Sequence, residues 1–134
     1  MLDKQLSDRL QASRLATQEC LTRSLQSFGS DQVAQGMRYA LSGGKGLRGL
    51  LVAESALLMN APGSNAIFVS AAVEALHTYS LVHDDLPCMD DDDLRRGRPT
   101  VHKKWDEATA VLVGDALQSL AFELLSKPEC INDP

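Results

Sequence analysis

The sequence predicts an all-α protein, a helical bundle of about five helices, and two observations carry that prediction. Leu and Ala supply 36 of the 134 residues, whereas Val and Ile supply 10; that balance favours helix over a β-sandwich or a parallel sheet. Apolar residues also recur at helical spacing, and the breaks between runs carry Gly, Pro, Asn or Asp. The length is enough for one domain to bury a core.

Each element can be justified in order. Leu2, Leu6 and Leu10, then Leu21, Leu25 and Phe28, repeat at i, i+4 or i, i+3, so one long amphipathic helix is expected up to a stop at Gly29-Ser30-Asp31. A second helix runs from Asp31 to about Leu41, with Val33, Met37, Ala40 and Leu41 inward. Ser42-Gly43-Gly44-Lys45-Gly46 is a flexible break. A third helix holds Leu47, Leu50, Leu51, Leu57 and Leu58, and the turn-forming run Asn60–Asn65 closes it. Residues 66–85 are apolar or small except for a few positions such as Glu74 and His77, so this fourth helix should be central. Pro87 ends or kinks it. Residues 90–100 read as an exposed loop. A last helix begins near Glu107 and breaks at Lys127-Pro128. Trp105 and Phe122 are expected in the core; His102 falls in the loop and says little.

Charge is concentrated rather than spread. The formal charge is −5, from 18 acids and 13 bases, and six of the acids lie between Asp84 and Asp93. The other 12 acids are balanced by the 13 bases. A basic footprint is absent, which argues against nucleic acid as a partner. The longest uncharged stretch, Ser55–Val73, is interrupted by Pro62 and Gly63, so no membrane span is expected there. Cys20, Cys88 and Cys130 are scattered, with no C-x-x-C spacing, which fits a reducing cytoplasm better than a disulfide framework or a zinc site.

The most informative stretch is His83–Asp90. Asp84 and Asp90 flank Pro87, so a kink there would bring them to one point. Their hard oxygens suit Mg²⁺, which takes one or two carboxylates and completes its shell with water and phosphate oxygens. Arg95 and Arg96 follow, with guanidinium forks that suit phosphate. The bland alternative is a solvated acidic loop neutralised by arginines. Lys45 and Arg48 form a second cationic pair where a glycine loop meets a helix N-terminus, either an anion site or an ordinary basic turn. His77 shares a helix face with Asp84; it is either a core histidine or part of the site. His83 beside Asp84 also seeds a metal phosphohydrolase reading, which lacks the further histidines and the distant aspartate such sites use.

These residues together resemble a known family. Residues 74–102, EALHTYSLVHDDLPCMDDDDLRRGRPTVH, resemble the first aspartate-rich region of trans-polyprenyl diphosphate synthases, and among them the bacterial farnesyl diphosphate synthases. Upstream, GGKGLRG is similar to the family's G-G-K-R-x-R-P, and downstream VGDALQSLAFELL is similar to the helix that follows. The resemblance implies an isoprenoid-synthase bundle around a central cavity, usually a homodimer. It also implies an enzyme that joins isopentenyl diphosphate to a dimethylallyl or geranyl diphosphate. Carried over, Asp84 and Asp90 would ligate Mg²⁺ and Asp85 would support them. Arg95 would contact the allylic diphosphate; Lys45, Arg48, His77 and Arg96 would bind isopentenyl diphosphate. Tyr79 and Ser80 would set chain length, and a bulky Tyr79 implies a fifteen-carbon product.

Two features depart from the family. Gly46 and Gly49 stand where the motif has arginine and proline, which should loosen the loop–helix junction. Members run more than twice as long and carry a second D-D-x-x-D motif, which nothing after Asp115 supplies. The chain is therefore expected to correspond to the N-terminal part of a synthase domain and to be inactive alone. The runner-up is a non-catalytic, small-subunit-like module that pairs with a full-length synthase.

Overall fold

The computed structural model describes residues 2–130. Six helices and one small hairpin are present in the order α1 (Leu2–Ser24), α2 (Gln32–Leu41), α3 (Leu47–Leu58), α4 (Gly63–Asp84), β1 (Leu94–Arg95), β2 (Arg98–Pro99), α5 (Val101–Lys104) and α6 (Glu107–Leu125). The all-α expectation holds. The count differs by the four-residue α5, and the expected loop 90–100 contains a two-stranded antiparallel hairpin pairing Leu94 with Pro99 and Arg95 with Arg98.

Local chemistry explains most boundaries. Asp31 caps α2 by accepting the Ala34 N–H, and Asp106 caps α6 by accepting the Thr109 N–H. The first helix ends earlier than its apolar pattern, at Ser24, because Arg38 of α2 supplies donors to carbonyls that the helix leaves open. Its guanidinium donates to Leu25 O at 2.9 Å, Phe28 O at 2.8 Å and Gly29 O at 3.0 Å. Asn60, at φ 54°, provides the left-handed residue that ends α3.

The core lies where α4 and α6 pack together, with α1 and α2 closing over them; Met37, Ala71, Ala75, Ala110, Val113 and Leu117 are fully enclosed. The α4–α6 approach is close because Gly114 faces the His83 ring, where a Cβ would have no room. One expected core residue, Phe122, is not core, and several leucines of α3 are exposed as well. Phe122 is 63% exposed, as are Leu57 to the same extent and Leu51 and Leu58 to a greater one. A helix apolar on most sides does not specify which side turns inward, and α6 is such a helix. It is also long and apolar enough to cross a membrane by length and composition alone, although Val113, Leu117, Leu120 and Leu124 are buried inside the fold. His102 is buried in α5 rather than looped, with Nδ1 3.2 Å from Thr100 Oγ1.

Candidate active site

The acidic segment is a folded turn. After α4 ends, the Asp90 N–H donates to Asp84 O at 2.8 Å, and the Asp92 N–H donates to Asp85 O at 3.2 Å. Met89 and Asp91 both donate to Leu86 O, and Asp91 takes a left-handed φ of 53° to close the turn. The backbone thus brings Asp84 and Asp90 together, as the proline kink predicts. Asp84 is half-buried and Asp90 exposed. Neither carboxylate forms an ion pair among the described residues.

Asp85 has a different environment from its neighbour. It is 3% exposed, and its two oxygens receive Arg95 Nε at 2.9 Å and Arg95 Nη2 at 2.6 Å. One step along a helix is 100°, enough to turn Asp85 from the face of Asp84 to the hairpin. This pairing raises the Arg95 pKa above its ordinary value, against the opposing effect of burial. Asp85 therefore orients Arg95, and its oxygens are already committed.

The hairpin that carries the arginines is fixed to α2. Arg96 and Gly97, at φ 55° and 73°, form its tight turn. Tyr39 donates its hydroxyl to Pro99 O at 2.7 Å, while Arg98 stacks on the Tyr39 ring at 3.9 Å and donates to Ser42 Oγ at 2.7 Å. Lys104 covers the same ring, and Trp105 meets it edge-on. A cavity of about 150 Å³ opens beside Ser42, Thr78, Asp85 and the arginines of the hairpin. Arg98 and Tyr39 were not foreseen as positioning residues; the only sequence signal was Arg98 within an arginine-rich run.

The second cationic group lies at the start of α3. Gly46 caps it in the left-handed region at φ 70°, and a Cβ there would sit 3.0–3.1 Å from the Arg14 side chain. Gly49 is buried and pinned rather than loosened: its N–H donates to Glu74 Oε1 at 2.9 Å, and its carbonyl accepts Ser70 Oγ at 3.0 Å. Lys45 and Arg48 are exposed, and neither forms a hydrogen bond or ion pair among the described residues. His77 stands across from them. Burial lowers its pKa first, and the Arg48 charge lowers it further, with Arg96 and Arg95 contributing and Glu74 opposing. Arg48, His77 and Arg96, drawn from three separate elements, are therefore electrostatic neighbours.

The polyprenyl synthetase family profile matches residues 30–133. The chain belongs to the polyprenyl synthetase family. It is similar to the farnesyl diphosphate synthase of Haemophilus influenzae, 55% identical over 94 residues that cover 69% of this chain and 32% of that one. It is also similar to the farnesyl diphosphate synthase of Escherichia coli, 53% identical over 100 residues covering 74% and 33%. Among solved structures, an FPP/GFPP synthase from Zymomonas mobilis superimposes with a TM-score of 0.91 at 46% identity, over 97% of this chain and 48% of that one. The chain thus spans about a third of the length of the curated relatives it matches.

The remaining candidate residues, Tyr79 and Ser80, lie on α4. Tyr79 packs edge-on against His83 with centroids 5.0 Å apart, and Ser80 donates to His77 O at 2.8 Å. His83 places Nε2 3.0 Å from Val111 O on α6. Cys20, Cys88 and Cys130 are free thiols.

Proposed function

We propose that the chain carries the first metal–diphosphate site of a prenyltransferase that condenses isopentenyl diphosphate with dimethylallyl or geranyl diphosphate to give farnesyl diphosphate. One observation carries this reading: a backbone-closed turn joins Asp84 to Asp90, while the exposed Lys45, Arg48 and Arg96 form no ion pair among the described residues. Exposed cations and carboxylates left unpaired side by side are what a metal-bound diphosphate would neutralise.

The donor set fits Mg²⁺. No group of three or more His, Cys, Asp or Glu side chains among the described residues forms a closed cage, and Mg²⁺ does not need one. Two carboxylates with phosphate and water oxygens complete its shell. Asp84 and Asp90 would hold the ion, which when bound adds positive charge beside the leaving diphosphate. Arg95, held in place by Asp85, would grip the allylic diphosphate. The allylic carbon–oxygen bond breaks and its electron pair leaves with the diphosphate. The alkene of isopentenyl diphosphate, fixed by Lys45, Arg48, His77 and Arg96, supplies the pair for the new carbon–carbon bond. The resulting cation loses a proton, for which released diphosphate is an available base. Charges placed in advance where the leaving group develops its own lower this barrier. Tyr79, one turn below Asp84, would limit the product to fifteen carbons.

The relatives are about three times as long, so binding and turnover are separable here. Calorimetric titration of the 134-residue chain with inorganic diphosphate is expected to show binding that Mg²⁺ strengthens, with no product from the two prenyl substrates. Binding indifferent to Mg²⁺ would refute the reading of the acidic turn. A second reading, a module that pairs with a longer synthase or with its own copy, is favoured by the exposed Leu51, Leu58, Met59 and Phe122. Size-exclusion chromatography with and without a full-length synthase tests it.

A further inference from the structure

Glu74 is a carboxylate placed among cations that makes no ion pair among the described residues. A negative charge close to Arg48, Arg96 and His77 works against binding any diphosphate there, so its placement calls for a reason. The geometry provides one. Glu74 Oε1 accepts the Gly49 N–H at 2.9 Å across 25 residues of sequence. Gly49 is the third residue of α3, one of the positions whose N–H has no partner inside its own helix. The nearby Ser70 hydroxyl, also on α4, binds the Gly49 carbonyl, so both backbone groups of one residue are tied to one helix. The other carboxylate oxygen lies 4.0 Å from where a Gly44 side chain would begin. The buried Thr17 hydroxyl comes within 3.3 Å of the Cβ position of Gly49, which leaves the segment little room to shift.

We propose that Glu74 is a positioning residue for the cationic half of the site, holding the start of α3, and with it Arg48 and Lys45, at a fixed distance from His77 on α4. The link depends on the departure noted in the sequence, because a proline at position 49 has no N–H to donate. In this chain the glycine replaces a rigid residue with a hydrogen bond. The inference rests on the diphosphate reading of the site, yet the link itself can be tested without any ligand.

Two substitutions separate charge from position. Glu74→Gln removes the charge and keeps an oxygen that accepts the Gly49 N–H; Glu74→Ala removes both. By amide hydrogen exchange on the 134-residue chain, Gly49 is expected to exchange at least about tenfold faster in Glu74→Ala and near the wild-type rate in Glu74→Gln. The His77 ring, followed by NMR titration, provides the position readout. Both variants lose the Glu74 charge that supports its protonation. Only Glu74→Ala frees Arg48 to move away, so His77 should titrate higher in Glu74→Ala than in Glu74→Gln. Inorganic diphosphate should bind Glu74→Gln at least as tightly as wild type and Glu74→Ala several-fold more weakly. In a Gly49→Pro background, where there is no N–H for residue 74 to hold, Glu74→Ala and Glu74→Gln should no longer differ in His77 titration or in diphosphate binding. Equal Gly49 exchange in the two variants, or tighter diphosphate binding by Glu74→Ala, would overturn the proposal. Failure of the wild-type chain to bind diphosphate would instead count against the functional reading, with exchange and titration still deciding the role of Glu74.

Discussion

Two helix ends meet at the site, and they are built in opposite ways. The C-terminal end of α4 is a netted turn: carbonyls of Asp84, Asp85 and Leu86 receive four N–H groups from residues 89–92. Thr100 then ties Asp92 and Asp93 to the hairpin, and the Asp85–Arg95 pair is buried beneath. The N-terminal end of α3 has glycines at 43, 44 and 46, two of them at positive φ, and exposed cations with no partner among the described residues. The contrast follows from solvation. Asp84 and Asp90, which the proposed function assigns to one small ion, sit on a backbone turn that is already closed. Cations that grip a large anion remain hydrated until it arrives, which avoids the cost of burying unpaired charge.

The largest effect that would break this contrast is on the netted end. Asp85→Ala strips Arg95 of three hydrogen bonds from a carboxylate that is almost fully buried. Arg95 is a third exposed and regains water, so the loss should be about 2–3 kcal/mol in urea denaturation, below that for a fully buried pair. A loss under about 1 kcal/mol would mean that the turn does not depend on this pair. At the other end, Gly46→Ala should cost about 2 kcal/mol, from a left-handed backbone that a Cβ disfavours and from its contact with Arg14. If Gly46→Ala proves the more damaging of the two, the fold depends more on the glycine cap of α3 than on the buried pair at the netted end.

Particular residues show what was legible in the sequence. The Asp31 cap and the glycine, asparagine and proline breaks placed α2, α3 and α6 to within a few residues, because these signals act locally. The hairpin did not announce itself: its turn is Arg96-Gly97, and arginine seldom occupies a left-handed position. The candidate site was named from the sequence through its resemblance to a family motif, because the charge pattern alone also fits a solvated acidic loop. The resemblance implied a supporting role for Asp85, but its buried pairing with Arg95 was not readable. Asp84 and Asp85 are identical side chains whose roles diverge by one helical step, and Glu74 finds Gly49 only through tertiary packing.

A smaller but sharper test separates the ends by metal. Asp84→Asn and Asp90→Asn should leave stability within about 0.5 kcal/mol, since neither carboxylate is paired. Each should weaken Mg²⁺-dependent diphosphate binding at least about tenfold, roughly 1.4 kcal/mol. Lys45→Ala and Arg48→Ala should weaken binding by the same factor with and without Mg²⁺. Variants from both ends that depend equally on the metal would dissolve the distinction.

The smallest expected effect is a pH dependence at the point where the ends face each other. Burial, and then Arg48, hold the His77 imidazole below its usual range near 6.5. A histidine with a depressed folded pKa binds more protons unfolded than folded, so its contribution to stability is complete above about pH 6.5 and is lost as pH falls through the lower folded value. The ring is partly open to water, so screening keeps the effect under about 1 kcal/mol. It is read as the difference between wild type and His77→Gln in urea melts from pH 7.5 to 5. A diphosphate among Lys45, Arg48 and Arg96 would reverse the local field and favour the imidazolium. The wild-type slope should then shrink or change sign with saturating diphosphate, while the His77→Gln slope should not respond. A His77→Gln slope that matches wild type without ligand would mean that neither burial nor the Arg48 charge acts on His77, and the cationic end would lose one of its links to α4.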